Sequence, residues 1–196
     1  DYAIDNLFNE SKYYLYIVTP YFLAGENRLK SIIDAKKRGC MVIILIHRNA
    51  LNEIRTIDEL KRLKDIGCRI FIHSHLHSKI YLNEQTAITG SANLLKGSFD
   101  NSLEMGVESS NVDHLRQIHS TIIDYFDGDS IEEFNPMDMK MGYCIKTKQN
   151  MNYNTTYPIK YDVYKASEDK TTGKYCHSCG KESGTNLSKP LCQECS

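Results

Sequence analysis

Apolar positions along this chain recur with two different periods, and the alternation between them outlines the fold. Ile4, Leu7 and Phe8 stand at helical spacing and predict a short amphipathic helix before a strand at 13–19. Leu29, Ile32 and Ile33 predict a helix over 26–38 that stops at Gly39, and Ile54, Ile57, Leu60 and Leu63 predict one over 52–66 that stops at Gly67. The run MVIILIH is apolar at every position but the last, as a central strand covered on both faces should be. Further strands are expected around 69–82, 86–90 and 103–108, and a helix over 111–127 carries Val112, Leu115, Ile118, Ile122 and Phe126. Strands alternating with helices predict an α/β fold, a mixed-sheet αβα sandwich. Its end is expected at DGDS, giving a domain over 1–130. The segment 131–142, with Met137, Met139 and Met141, is expected to be a linker whose methionines fill gaps against a neighbouring surface.

A length of 196 residues allows one domain with a sizeable core and one small module. The net charge of −1 excludes a global basic field. Lys36, Lys37 and Arg38 end one helix, and Lys61, Arg62 and Lys64 lie on another among Glu59 and Asp65, so both clusters are ordinary solvated faces that lend only weak support to phosphate contact. No apolar run reaches the length of a membrane span and no signal peptide is visible, so no membrane partner is expected. Seven cysteines, four of them in a metal-binding pattern, suggest the reducing cytoplasm. The chain begins at Asp1 without a methionine, so an upstream segment is expected.

Chemistry concentrates between His77 and Glu104, in HSKIYLNEQTAITGSANLLKGSFDNSLE. His77 and Lys79 lie two apart in a run that reads as extended, RIFIHSHLHSKIYL, so imidazole and ammonium are expected to face one volume. An imidazole serves as nucleophile or general acid near neutral pH, and a fixed lysine neutralises phosphate oxygens. Ser91 and Asn93 follow a short strand where a turn enters a helix, and offer a hydroxyl, an amide and free backbone N–H groups to an anion. Glu104 could fix the tautomer of His77 through its second ring nitrogen. Taken singly these are a strand histidine, a solvated lysine and a helix-opening turn; their order and spacing together point to phosphodiester chemistry. His73 and His75 share the strand parity of His77 and are read as site-wall residues, a three-histidine metal face being the less favoured alternative.

With these residues the chain resembles the phospholipase D superfamily, whose signature is His-x-Lys, an acidic residue, then Gly-Ser-x-Asn, with a later Glu or Asp. The strand YLYIVTPYF with its Thr-Pro-Tyr-Phe exit also resembles the first core strand of that family. Two departures are visible: Glu84 stands where the signature has Asp, and the interval from there to Gly90 is one residue short. The resemblance implies a sandwich of phospholipase D type, with His77 as nucleophile, Lys79, Ser91 and Asn93 as phosphate ligands, Glu104 as orienting carboxylate and Glu84 as a structural residue. It implies no metal in catalysis, and, because one signature copy supplies one histidine, a homodimer sharing one active site. The small format with a single copy is similar to the nucleases of the superfamily, so the substrate expected is DNA, with RNA also open. The alternatives are a phospholipase or phosphatidyl transferase, and a non-catalytic nucleic-acid-binding module.

The C-terminal segment carries Cys176, Cys179, Cys192 and Cys195, two Cys-x-x-Cys pairs separated by twelve residues. Two such knuckles place four thiolates around one structural zinc, in a zinc-ribbon region over 143–196. Shifting the chain by thirty-two residues lays Tyr143 on Tyr175, Cys144 on Cys176, Asn154 on Asn186 and Pro158 on Pro190. Thr147, Lys160 and Val163 then face the three remaining cysteines, so 143–164 is read as a degenerate copy of the intact 175–196, or as a tyrosine-rich connector with a chance match.

Overall fold

The computed structural model describes residues 2–95, 105–127 and 130–196. The chain divides into two compact units, residues 1–50 with 55–134, and residues 51–54 with 135–196.

In the first unit, helix α1 (Tyr2–Glu10) leads to β1 (Tyr14–Thr19), the two-residue β2 (Phe22–Leu23), α2 (Gly25–Lys37), β3 (Met41–His47), a 3-10 turn (Arg48–Asn52), α3 (Ile54–Asp65) and β4 (Arg69–His73). Then come β5 (Ile80–Asn83), β6 (Ala87–Gly90), β7 (Leu94–Leu95), β8 (Gly106–Ser109), α4 (Val112–Asp124) and β9 (Ile131–Glu133). Seven strands form one mixed sheet in the order β8-β6-β5-β1-β3-β4-β9. β1, β3 and β4 run parallel, whereas β5, β6, β8 and β9 each pair antiparallel with a neighbour. β1 and β3 are buried along nearly their whole length because both faces are covered. On one face Tyr16, Val18, Ile43, Leu45, Ile80 and Leu82 pack with Leu115 and Ile122 of α4. The opposite parity includes Tyr81, whose ring meets Phe8 of α1 edge to face, the centroids 6.1 Å apart. The result is the αβα sandwich that the alternation of periods predicts.

Two boundaries differ from the expectation. The run 69–82 is two strands on opposite sides of β1 and β3, linked by 74–79 across the sheet edge. Buried Leu76 closes the core beneath that crossing, which explains why the loop carries the apolar signature of a strand. Residues 131–133, expected in a linker, form the edge strand β9 on β4, and Phe134 behind them is fully buried with its N–H donating to Ile70 O at 2.8 Å. Salt bridges from Arg48 to Glu132 and from Lys64 to Glu133 hold this last strand.

In the second unit, β10 (Met141–Tyr143) and β11 (Asn150–Asn152) form a hairpin, followed by the short helix α5 (Tyr161–Ala166) and the cysteine segment. Its core is small: Cys144, Ile145, Met151 and Ile159, with Val163 and Leu187 against them.

Candidate active site and cysteine centre

Parallel β1, β3 and β4 end at Thr19, His47 and His73 on one edge of the sheet. β5 runs the other way, its first residue Ile80 pairing with Val18, so Lys79 and His77 arrive at that same edge. β6 returns antiparallel to β5 and delivers Gly90, Ser91 and Asn93 there too, Gly90 N–H donating to Lys79 O at 3.3 Å. Topology alone therefore gathers His77, Lys79, Ser91 and Asn93. His77 is exposed, and Lys79 Nζ folds back to donate to the His77 carbonyl at 2.9 Å.

The Gly-Ser-x-Asn turn is held from several sides. Tyr81 Oη donates to Ala92 O at 3.0 Å, and Thr19 Oγ1 accepts Leu94 N–H at 3.3 Å, donates to Tyr21 O at 2.9 Å and lies 3.5 Å from Asn93 Oδ1. Ser91 is tied to Met105, the residue before β8: its Oγ accepts Met105 N–H at 3.0 Å and lies 3.3 Å from Met105 O, while its own N–H donates to that oxygen at 2.9 Å. Gly90 is required here by sterics, since a Cβ would collide with Met105 O and come within 2.7 Å of Gly106 Cα. Glu104 lies outside the described residues. Glu84 sits at the opposite end of β5, where Oε1 accepts Lys12 N–H at 3.0 Å and Oε2 accepts Tyr13 N–H at 3.3 Å; it fixes the entry to β1 and is remote from the edge that carries His77.

His47 has no place in the sequence motif, yet its ring stands 6.0 Å from that of His77, centroid to centroid. Its Nδ1 accepts Asn49 N–H at 3.0 Å, and burial, opposed by a bond to the Ser74 backbone and reinforced by the charges of His77, His75 and His73, holds its pKa below the usual imidazole range. The signal for it was the polar residue ending the otherwise apolar run MVIILIH. His73, next to it across β3 and β4, is also pushed down, by burial first and then by His75. The three histidines 73, 75 and 77 do not share one strand face, because β4 ends at His73 and the chain turns at Ser74 and His75. Among the described residues they form no group with metal-binding spacing.

Residues 4–129 match the family described as cardiolipin synthase, PLD-like domain. The chain belongs to the phospholipase D-like family. Its fold is similar to that of Nuc from Salmonella typhimurium, a phospholipase D family member (TM-score 0.61, 20% identity, 68% of this chain and 90% of that one). NucT from Helicobacter pylori is similar in fold as well (TM-score 0.59, 14% identity, 68% and 89% covered). So is TrmBL2, an archaeal chromatin protein described with a novel mode of DNA binding (TM-score 0.54, 12% identity, 68% and 49% covered). No curated protein matches the chain. Among the described residues no helix is long and apolar enough to cross a membrane.

Beyond the phospholipase D-like domain, the Sγ atoms of Cys176, Cys179, Cys192 and Cys195 all lie within 4.8 Å of one another. A tetrahedral zinc with thiolates at about 2.3 Å needs sulfurs about 3.8 Å apart. Cys179 and Cys192 are 3.8 Å apart, so the cluster fits that ion. Burial alone would raise Cys176, but backbone N–H groups of Cys179, Cys192 and Ser178 outweigh it and bring the thiol down to about 6. Hydrogen bonds to Cys192 and Cys179 push Cys195 up to about 12: four thiols this close do not all ionise without a cation. His177, between the first two cysteines, is fully buried but turned away from them. Its Nδ1 donates to Tyr143 O at 2.6 Å, its Nε2 accepts Asn154 N–H at 2.8 Å, and its ring stacks on Tyr153.

The thirty-two-residue shift reappears in the backbone. Cys144 N–H donates to Gln149 O, and Cys176 N–H to Lys181 O, both at 2.8 Å; Lys148 N–H donates to Cys144 O, and Gly180 N–H to Cys176 O, both at 2.9 Å. Ile145 N–H reaches Pro158 O at 3.0 Å, as His177 N–H reaches Pro190 O at 2.8 Å. Lys148 has φ 61° and Gly180 has φ 71°, and among described non-glycine residues Lys148 alone has positive φ. The two segments also clasp each other reciprocally, Tyr143 N–H on His177 O and Tyr175 N–H on Ile145 O, each at 2.8 Å.

Proposed function

We propose that this protein is a metal-independent phosphodiesterase that cleaves DNA, with RNA as a further possible substrate. The observation that carries the reading is the convergence of His77, Lys79, Ser91 and Asn93 on one sheet edge. In the proposed mechanism a His77 ring nitrogen attacks phosphorus while a second, protonated histidine gives its proton to the departing oxygen as the P–O bond breaks. Water, giving its proton to the now neutral second histidine, then attacks phosphorus as the P–N bond breaks, releasing the product and His77. Lys79 and Asn93 bind the non-bridging oxygens, where charge gathers in the transition state. Ser91 contributes to the same phosphate site and fixes the turn through Met105. Glu104 holds the tautomer of His77. The second histidine comes from the partner in a homodimer with one composite site. A structural zinc on the four cysteines folds the C-terminal ribbon, which adds nucleic-acid affinity and takes no part in catalysis. The DNA binding described for TrmBL2 on the same fold supports the substrate class.

Supercoiled plasmid incubated with the protein in a chelator of divalent ions tests this. Nicking by the wild type that disappears in His77→Ala and Lys79→Ala is expected; strict dependence on magnesium, or full activity in His77→Ala, contradicts it.

A further inference from the structure

The two ribbon segments share a hydrogen-bond plan but not a ligand set, and the difference has a surface consequence. Where the C-terminal copy has Cys192 and Cys195, the first has Lys160 and Val163. Val163 packs with Cys144, Ile145, Met151 and Ile159, so an apolar cluster stands where the metal of the other copy would be. With no knuckle to close, the chain after Lys160 winds into α5. Rings on this helix and just before it are exposed: Tyr157 is 55% exposed, Tyr161 70% and Tyr164 37%.

Lysines accompany these rings. Lys165 Nζ lies 4.9 Å from the centroid of Tyr161, and Lys170 Nζ 5.1 Å from that of Tyr164. Residues 135–196 hold nine lysines against six carboxylates, whereas 1–134 hold fifteen basic against nineteen acidic residues; within 157–170 Lys160, Lys165 and Lys170 stand against Asp162, Glu168 and Asp169, the last of them engaged by Thr171 and Lys146. Exposed aromatic faces interleaved with ammonium groups match a ligand with flat apolar rings on a polyanionic backbone. A duplex hides its base faces in the stack, so the match is to a single strand.

We propose that the metal-less half of this repeat, together with the residues that follow it to Lys170, is a binding face for single-stranded nucleic acid, with bases stacking on Tyr157, Tyr161 and Tyr164 and phosphates drawn to Lys160, Lys165 and Lys170. The proposal deepens the phosphodiesterase reading and takes its substrate class from it.

Fluorescence anisotropy of a labelled oligothymidylate, titrated with full-length zinc-loaded protein at low salt, tests the face. The triple variant Tyr157→Ala, Tyr161→Ala, Tyr164→Ala should bind about 30-fold more weakly or worse, and the corresponding triple phenylalanine variant within about threefold of wild type, because stacking needs a ring and not a hydroxyl. Zinc content and turnover of bis(p-nitrophenyl) phosphate should be unchanged in both. Should the alanine variant lose its zinc, single Tyr161→Ser carries the test with a loss of about tenfold. Equal oligonucleotide affinity in wild type and alanine variants overturns the proposal. A wild type that cuts neither plasmid nor the small diester, but whose oligonucleotide affinity still depends on the three rings, upholds the face and overturns the phosphodiesterase reading alone.

Discussion

The rings of His47 and His77 stand 6.0 Å apart at the sheet edge where β3 ends, and His47 is held on the neutral side of its usual titration by burial and by the neighbouring imidazoles. A neutral, hydrogen-bonded imidazole suits a residue that walls the site more than one that must donate a proton. The acid is therefore expected from the partner chain. Heterodimers of wild-type and His77→Ala chains, purified by two tags, should be nearly inactive. Retention of half the wild-type rate would place a complete site in each chain and make His47 the acid.

The same depressed imidazoles set a pH dependence of stability. His47 and His73 both titrate below their unfolded value near 6.5, so as pH falls through that value the unfolded chain takes up protons before the folded one. The unfolded state then binds more protons and stability declines with falling pH, the contribution being fully present only above about pH 6.5. The urea midpoint should drop between pH 7.5 and pH 5.5, and His47→Gln should flatten that drop. An identical pH dependence in wild type and variant would remove His47 from this role.

Glu84, in the acidic slot of the signature, accepts the N–H groups of Lys12 and Tyr13 at the end of β5 opposite Lys79. Glu84→Gln should lower stability by about 1 kcal/mol, the worth of weakened charge-assisted hydrogen bonds, and leave the cleavage rate of folded protein unchanged. Urea unfolding alongside plasmid nicking measures both; a large fall in rate without loss of stability would give Glu84 a catalytic role.

One zinc per chain is expected, since the two halves of the repeat part company at their ligands. Cys176→Ser and Cys179→Ser should lose the metal, while Cys144→Ser, in the apolar half, should retain it. Elemental analysis of the purified proteins decides the matter, and two zincs in the wild type would refute the assignment of 143–164 as metal-free.

Much of this was legible in residue patterns because patterns and packing agree: Ile54, Ile57, Leu60 and Leu63 sit at helical spacing, and three of the four are buried. His77, Lys79, Ser91 and Asn93 could be read because a short signature fixes them locally. What escaped depended on pairing between distant segments. Leu76 gave the crossing loop the look of a strand, and β9 is only three residues long, recognisable from its pairing with β4 and from buried Phe134. Thr19 and His47 reach the site because β1 and β3 are parallel neighbours that end at the same edge, a fact of topology of which the polar end of MVIILIH was the one local sign. The ribbon repeat lay between these cases: four identities suggested it, while Lys148, strained into the conformation that Gly180 adopts freely, ties the two turns together.

The central claim, a phosphohistidine on His77, is tested most directly by the stereochemical course at phosphorus. With a substrate made chiral there by sulfur and isotopic oxygen, two successive in-line displacements, each inverting, should return a product of retained configuration. Net inversion would mean that water attacks the diester directly, and would contradict the account.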